Sequence, residues 1–226
     1  METLTVYSAV DGAIKHQEAA LTWHNLVIAA GSGVDQAATQ EWVLLLMGED
    51  TEDQWQDLRR GIFVFPTGAL GATANIISAI FTLYGYGKND ALSATPDINI
   101  YSAAPANEAL LAAGDFNSLG NTPLCDTPVT YAGFNIGDPG DPNNFILNAA
   151  GLAYINKTGN TCIGTRNANY DVADELDPNN HDPAWVSHAY SGIRPWMTEK
   201  GAGYQPKLVI SYTVAAVGRS HGYIIG

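Results

Sequence analysis

Trp185, Tyr190 and Trp196 carry flat rings that could stack on the apolar faces of pyranose sugars. Their segment is rich in Asp, His, Gly and Pro, which points to partial exposure, so glycan or partner binding is the role expected of them. The competing role is to cover an open end of the core. Trp23 and Trp42 are expected inside, and Trp55, among charged neighbours, is left open.

No catalytic constellation is expected, so the chain reads as a non-enzyme. The sequence has no Gly-x-Ser-x-Gly elbow, phosphate loop, dinucleotide fingerprint or His-Glu-x-x-His. His16, His24, His181, His188 and His221 are scattered without the spacing of a zinc site. Glu49, Asp50, Glu52, Asp53 and Asp57 supply carboxylates, but a glycosidase needs two at a fixed separation across a cleft, and a solvated loop is the expected state. Asp138 and Asp141 suit tight turns. Their oxygens also suit a structural Ca²⁺, although no specific motif requires one, and no cofactor is expected. Cys125 and Cys162 lack a second Cys or a His at metal-ligand spacing. A disulfide between them is open, since spacing alone does not establish that they meet.

Whatever these residues do, a framework must position them. The 226 residues, 46% apolar and 15% charged, suffice for one large core. Frequent Gly, Pro, Asn, Thr and Tyr suit short strands joined by turns. A net charge of −13 disfavours nucleic acid and anionic lipid as partners. No apolar run of about 18 residues is present for membrane insertion. The first residues lack a basic stretch followed by an apolar one, so no secretory signal is expected.

Period-two alternation and apolar runs bounded by turn residues, the latter at Trp42–Met47 and Gly61–Phe65, predict strands at Leu4–Ser8, Trp42–Met47, Gly61–Phe65, Ile77–Tyr84, Asp97–Ser102, Phe145–Asn148, Ile163–Arg166 and Lys207–Val214. In the fourth, Ile77, Ala79, Phe81 and Leu83 share one face, and Gly85-Tyr86-Gly87 is expected to end it. Ala149–Ile155 predicts one short helix capped by Asn148. Gly31–Gln40, Gly48–Asp57, Asn135–Asn144 and Asp171–Pro183 read as long polar loops. The expected fold is all-β, a jelly-roll-type antiparallel sandwich with long loops. Residues 1–57 contribute N-terminal strands and loops, 58–213 the sandwich core, and 214–226 a tail or arm.

Five stretches carry a family likeness: Leu58-Arg59-Arg60-Gly61-Ile62-Phe63-Val64-Phe65, Ile77–Tyr84, Asp97–Ser102, Arg166–Asp171, and Pro206–Thr213. In order and kind they resemble the DNRLRE, carbohydrate-binding-module-like sandwich domains of extracellular bacterial and archaeal proteins, and proteins of tailed phages and environmental viruses. The resemblance implies a virion surface structural protein, a capsid decoration or a tail or fibre-type subunit, with a carbohydrate-binding-like sandwich. The alternative it implies is an extracellular carbohydrate-binding module or adhesin. Capsid or tail proteins, sister copies and cell-surface glycans are the partners expected. The charge-poor tail, with Tyr223, Ile224 and Ile225, is the expected assembly arm.

Overall fold

The computed structural model describes residues 1–138 and 141–214. Twelve strands make up the described fold: β1 (Glu2–Tyr7), β2 (Val10–Leu21), β3 (Gly33–Asp35), β4 (Leu44–Gly48), β5 (Trp55–Pro66), β6 (Ala74–Asp90), β7 (Ile98–Ala103), β8 (Leu119–Pro123), β9 (Pro142–Ile146), β10 (Asn160–Asn167), β11 (Tyr190–Pro195) and β12 (Lys207–Val214). All pairings between these strands are antiparallel. The helices are short: α1 (Trp23–Ile28), α2 (Ala149–Tyr154) and α3 (Asp171–Leu176). The expected all-β sandwich is the observed architecture, with three short helices in place of one.

One layer comprises β1, β12, the first part of β6 and β9. The other forks at β5. Along one edge β5 pairs with β2 throughout, whereas its other edge pairs with β4 up to Arg60 and with β10 from Gly61 onward. At the fork, Thr165 Oγ1 donates to Val43 O at 3.0 Å. A Cβ on Gly61 would lie 2.4 Å from that hydroxyl oxygen, so glycine is what lets the two branches part here.

Between the layers, Phe63 and Phe65 of β5 meet Phe81 of β6 at 5.2 and 5.6 Å between ring centres, and Phe81 stacks on Phe145 of β9. Val6, Ala79, Ile100, Ile163, Leu208 and Ile210 complete this core. Each fully buried large side chain contributes about 1.5–3 kcal/mol. A second core lies on the opposite face of β5, where Ile14, Leu58, Ile62 and Val64 pack under Trp23, Leu26 and Val27 of α1 and under Phe116.

Local expectations change at several points, among them the polar loops Gly31–Gln40 and Gly48–Asp57, which hold β3 and the start of β5. β6 does not stop at Gly85-Tyr86-Gly87 but runs on to Asp90, where its second part pairs with β11 and ties the layers together. Gly85 stands where Asn135 O crosses the strand, and a Cβ would come within 2.0 Å of that oxygen. Ile77 leaves the apolar face it was assigned. The register slips there, with Ser211 opposite Ser78 and Tyr212 opposite Ile76, so Ile77 bulges outward and is exposed. The polar stretch from Asp171 is not all loop but begins with α3. The capped helix is as expected: Asn148 Oδ1 accepts from Gly151 N at 2.9 Å at the start of α2.

The disulfide left open by the sequence is absent, and both cysteines are buried free thiols. Cys125 belongs to the core between the layers and Cys162 to the second core, so sheet lies between them. The arm residues Tyr223, Ile224 and Ile225 lie outside the described residues.

Candidate functional site

Alternation along β11 buries Ser191 and Ile193 and leaves Tyr190, Gly192 and Arg194 on the other face. The Trp42 indole lies over Gly192, where an added Cβ would come within 2.9 Å of its ring. Trp42 meets Tyr190 edge-on at 5.4 Å and has the Arg194 guanidinium 5.7 Å from its ring centre. The same guanidinium lies 5.2 Å from the Tyr86 ring. Tyr86 packs edge-on against Trp196 at 4.6 Å, and Trp196 against Tyr204 at 5.5 Å. Lys200 closes the row, its ammonium 4.2 Å from the Trp196 ring and 4.9 Å from Tyr204. Edge-to-face rings alternating with cations, each pair contributing about 0.5–1.5 kcal/mol, make a stiff strip.

Tyr86 owes its position to a bulge. Arg194 pairs with Gly87 and Pro195 with Gly85, which leaves Tyr86 as the extra residue, re-aimed outward and 42% exposed. Trp196, by contrast, is 6% exposed. It is fixed by its N–H to Tyr84 O at 2.7 Å and its indole N–H to Gly137 O at 3.3 Å, and so serves as the floor of the strip. Tyr204 donates its hydroxyl to Asp138, which pushes the phenol pKa up.

The two cations of the strip lie over rings and, among the described residues, make no ion pair. Among the described residues the Lys and Arg ion pairs are made by Lys15, Arg59, Arg60 and Arg166, and not by Arg194 or Lys200. Arg194 Nε is buried without any hydrogen-bond acceptor. By register, Gly192 stands beside Leu45, and Leu45 beside Arg59 and then Lys15. There Asp35 binds Lys15 at 2.8 Å and Arg59 at 3.1 Å, and Arg59 binds Asp57 at 2.8 Å. Burial above all pushes the Asp57 carboxyl up, against the pull of Arg59. Glu41 is pushed up by burial and by the charge of Asp35, with Arg59, Arg194 and Lys15 opposing.

No protein-family model matches the chain, and no curated protein is significantly similar to it.

Of the three rings singled out in the sequence, Tyr190 and Trp196 share the strip. Trp185 does not: its indole N–H donates to Gln54 O at 3.0 Å and its ring packs on the second core. Trp42, expected in the core, is instead a half-buried ring on the strip. Tyr86, Arg194, Lys200 and Tyr204 were not foreseen. The available signal was the Gly-Tyr-Gly of residues 85–87, since isolated glycines in a strand pattern mark bulges as well as ends. Trp23 and Trp55 are both buried and meet edge-on at 5.0 Å.

Several titratable groups elsewhere are held in structural bonds. Fully buried Asp171 binds Arg60 and Arg166 in two-pronged fashion, and Arg60 gives two further donors to Phe116 O and Val27 O. His24 Nδ1 lies 2.8 Å from buried Asp174. Among the described residues no group of three or more His, Cys, Asp or Glu side chains converges as metal ligands, and no helix is long and apolar enough to cross a membrane.

Proposed function

We propose that this protein is a non-enzymatic surface protein that adheres through the Tyr86–Arg194 face, displayed on a virion as a capsid decoration or a tail or fibre-type subunit. The observation that carries the adhesive part is the bulge that turns Tyr86 outward beside the Arg194 guanidinium, whose Nε has no acceptor. A flat exposed ring offers a stacking surface, and Arg194 and Lys200 offer donors outside any described ion pair, a combination that suits polysaccharide whose carboxylate or sulfate groups sit on these two cations, locally outweighing the repulsion of the net charge of −13. The virion setting rests on the likeness to viral sandwich proteins, and the arm Tyr223, Ile224 and Ile225 is the proposed contact with capsid or tail.

Retention in affinity gels containing neutral or acidic polysaccharides tests the adhesive face. Migration should be slowed, and Tyr86→Ala should reduce the retention about tenfold, the effect of losing roughly 1.4 kcal/mol. A chain that no polysaccharide retains overturns this reading. Mass spectrometry of purified particles tests the setting: fixed copy number supports virion display, while recovery only as a free or wall-bound protein favours an extracellular module or adhesin using the same face.

A further inference from the structure

The strip ends on a short 3-10 turn, Thr198–Lys200, and that turn is fastened from below by a carboxylate. Asp11, at the start of β2 and 2% exposed, accepts from Thr198 Oγ1 at 2.6 Å and from Thr198 N at 3.3 Å. The same hydroxyl lies 3.1 Å from Ser8 O, an alternative acceptor. On one side of Thr198, Met197 and Trp196 lead into the strip. On the other, two residues along, Lys200 lies over Trp196 and Tyr204. Asp11 therefore holds the segment that sets the distance between Lys200 and the Trp196 ring.

We propose that Asp11 is a protonation-controlled positioning residue: ionised, it clamps Thr198 and keeps Lys200 seated on the strip, and protonated, it lets the turn shift and the face loses affinity. This rests on the adhesive reading of the strip. Ionised, the carboxylate accepts two charge-assisted bonds. Protonated, the carboxyl turns one oxygen into a donor and accepts only as a neutral group, so the bonds from Thr198 lose their charge assistance and Ser8 O competes for the Thr198 hydroxyl. Burial is the main reason that the Asp11 pKa is raised to about 6, with Glu199 on the turn also raising it, while the hydrogen bonds from Thr198 pull it down. The switch would therefore act in mild acid. Glu199, Thr198 and Ser8 are the charged or hydrogen-bonding groups that bear on the carboxyl, and its register partner on β5 is Phe63.

Two readouts test this, one of which needs no ligand. The first is tryptophan fluorescence from pH 4.5 to 8, taken as the difference between the wild-type chain and Trp196→Phe. It should show a transition near the pKa of about 6 that Asp11→Asn abolishes while leaving the circular dichroism unchanged. The second is gel retention on acidic polysaccharide, which should fall severalfold across the same range in wild type and stay flat in Asp11→Asn. A Trp196 signal with no transition, or one that persists in Asp11→Asn, overturns the clamp. A fluorescence transition present in a chain that binds no polysaccharide leaves the clamp in place and overturns only its coupling to adhesion.

Discussion

Asp171 accepts two hydrogen bonds from Arg60 and two from Arg166, with all three side chains almost wholly out of water. Burial alone would raise its pKa, but the two guanidinium charges outweigh it and hold the carboxyl well below the usual carboxylate range. A depressed folded pKa gives stability that is present above the unfolded value of 3.8 and is lost as pH falls through the folded one. Asp171→Asn would leave two guanidinium groups short of charge compensation and should cost about 3–5 kcal/mol, read as a lower midpoint in urea at neutral pH. Asp11 has the opposite sign. Its folded pKa stands above 3.8, at about 6, so its contribution is present in acid and is lost as pH rises through that range. Asp11→Asn should flatten the stability profile between about pH 4 and about pH 7, a change on the order of 3 kcal/mol. This agrees with the clamp, because protonation relieves the cost of burying charge while weakening the bonds that hold Thr198. An unchanged pH profile of urea midpoints in Asp11→Asn would contradict the assignment.

At the scale of the element, β6 is the strand on which both layers depend, and its glycines are not equivalent. A Cβ at Gly85 would meet Asn135 O at 2.0 Å and the Phe134 ring at 2.7 Å, whereas at Gly87 nothing stands within 4 Å. Gly85→Ala should therefore destabilise the fold by about 1–3 kcal/mol through overpacking against backbone. Gly87→Ala should be nearly neutral, and thermal denaturation of the pair makes the comparison. Equal melting temperatures would show that the Asn135 segment yields freely. The same segment is pinned from β6 by Lys88, whose ammonium donates to Tyr131 O at 2.7 Å and Phe134 O at 2.9 Å. Gly85, the bulge at Tyr86 and the loop that covers them thus form one construction.

At the scale of the molecule, two cores on opposite faces of one sheet explain why the cysteines never meet. Burial pushes the Cys162 thiol up to about 12, with Glu108 beside it adding to the shift, so it is protonated and unreactive at neutral pH. Two thiols should titrate in denaturant and react slowly in the native chain, and a reductant should leave the melting temperature unchanged. A downward shift on reduction would reveal a bond. Most of the fold is legible in the sequence, and the reason is local. β12 alternates cleanly, with Leu208 and Ile210 inward, because a strand half-covered by a layer writes its burial at every second residue. The α2 cap is equally local, since Asn148 and Gly151 are three residues apart.

The sequence by itself determined that the chain is all-β, where several of its strands run and that α2 begins at Asn148, because periodicity and capping act between neighbours along the chain. Only the tertiary structure decided the candidate face. Tyr190 and Trp42 meet across strands, Tyr86 turns outward because β11 is one residue shorter than β6 at their pairing, and Asp11 reaches Thr198 across 187 positions. Pattern along one strand cannot report a register slip in its partner, nor a bond between segments that are brought together only when the sheet closes.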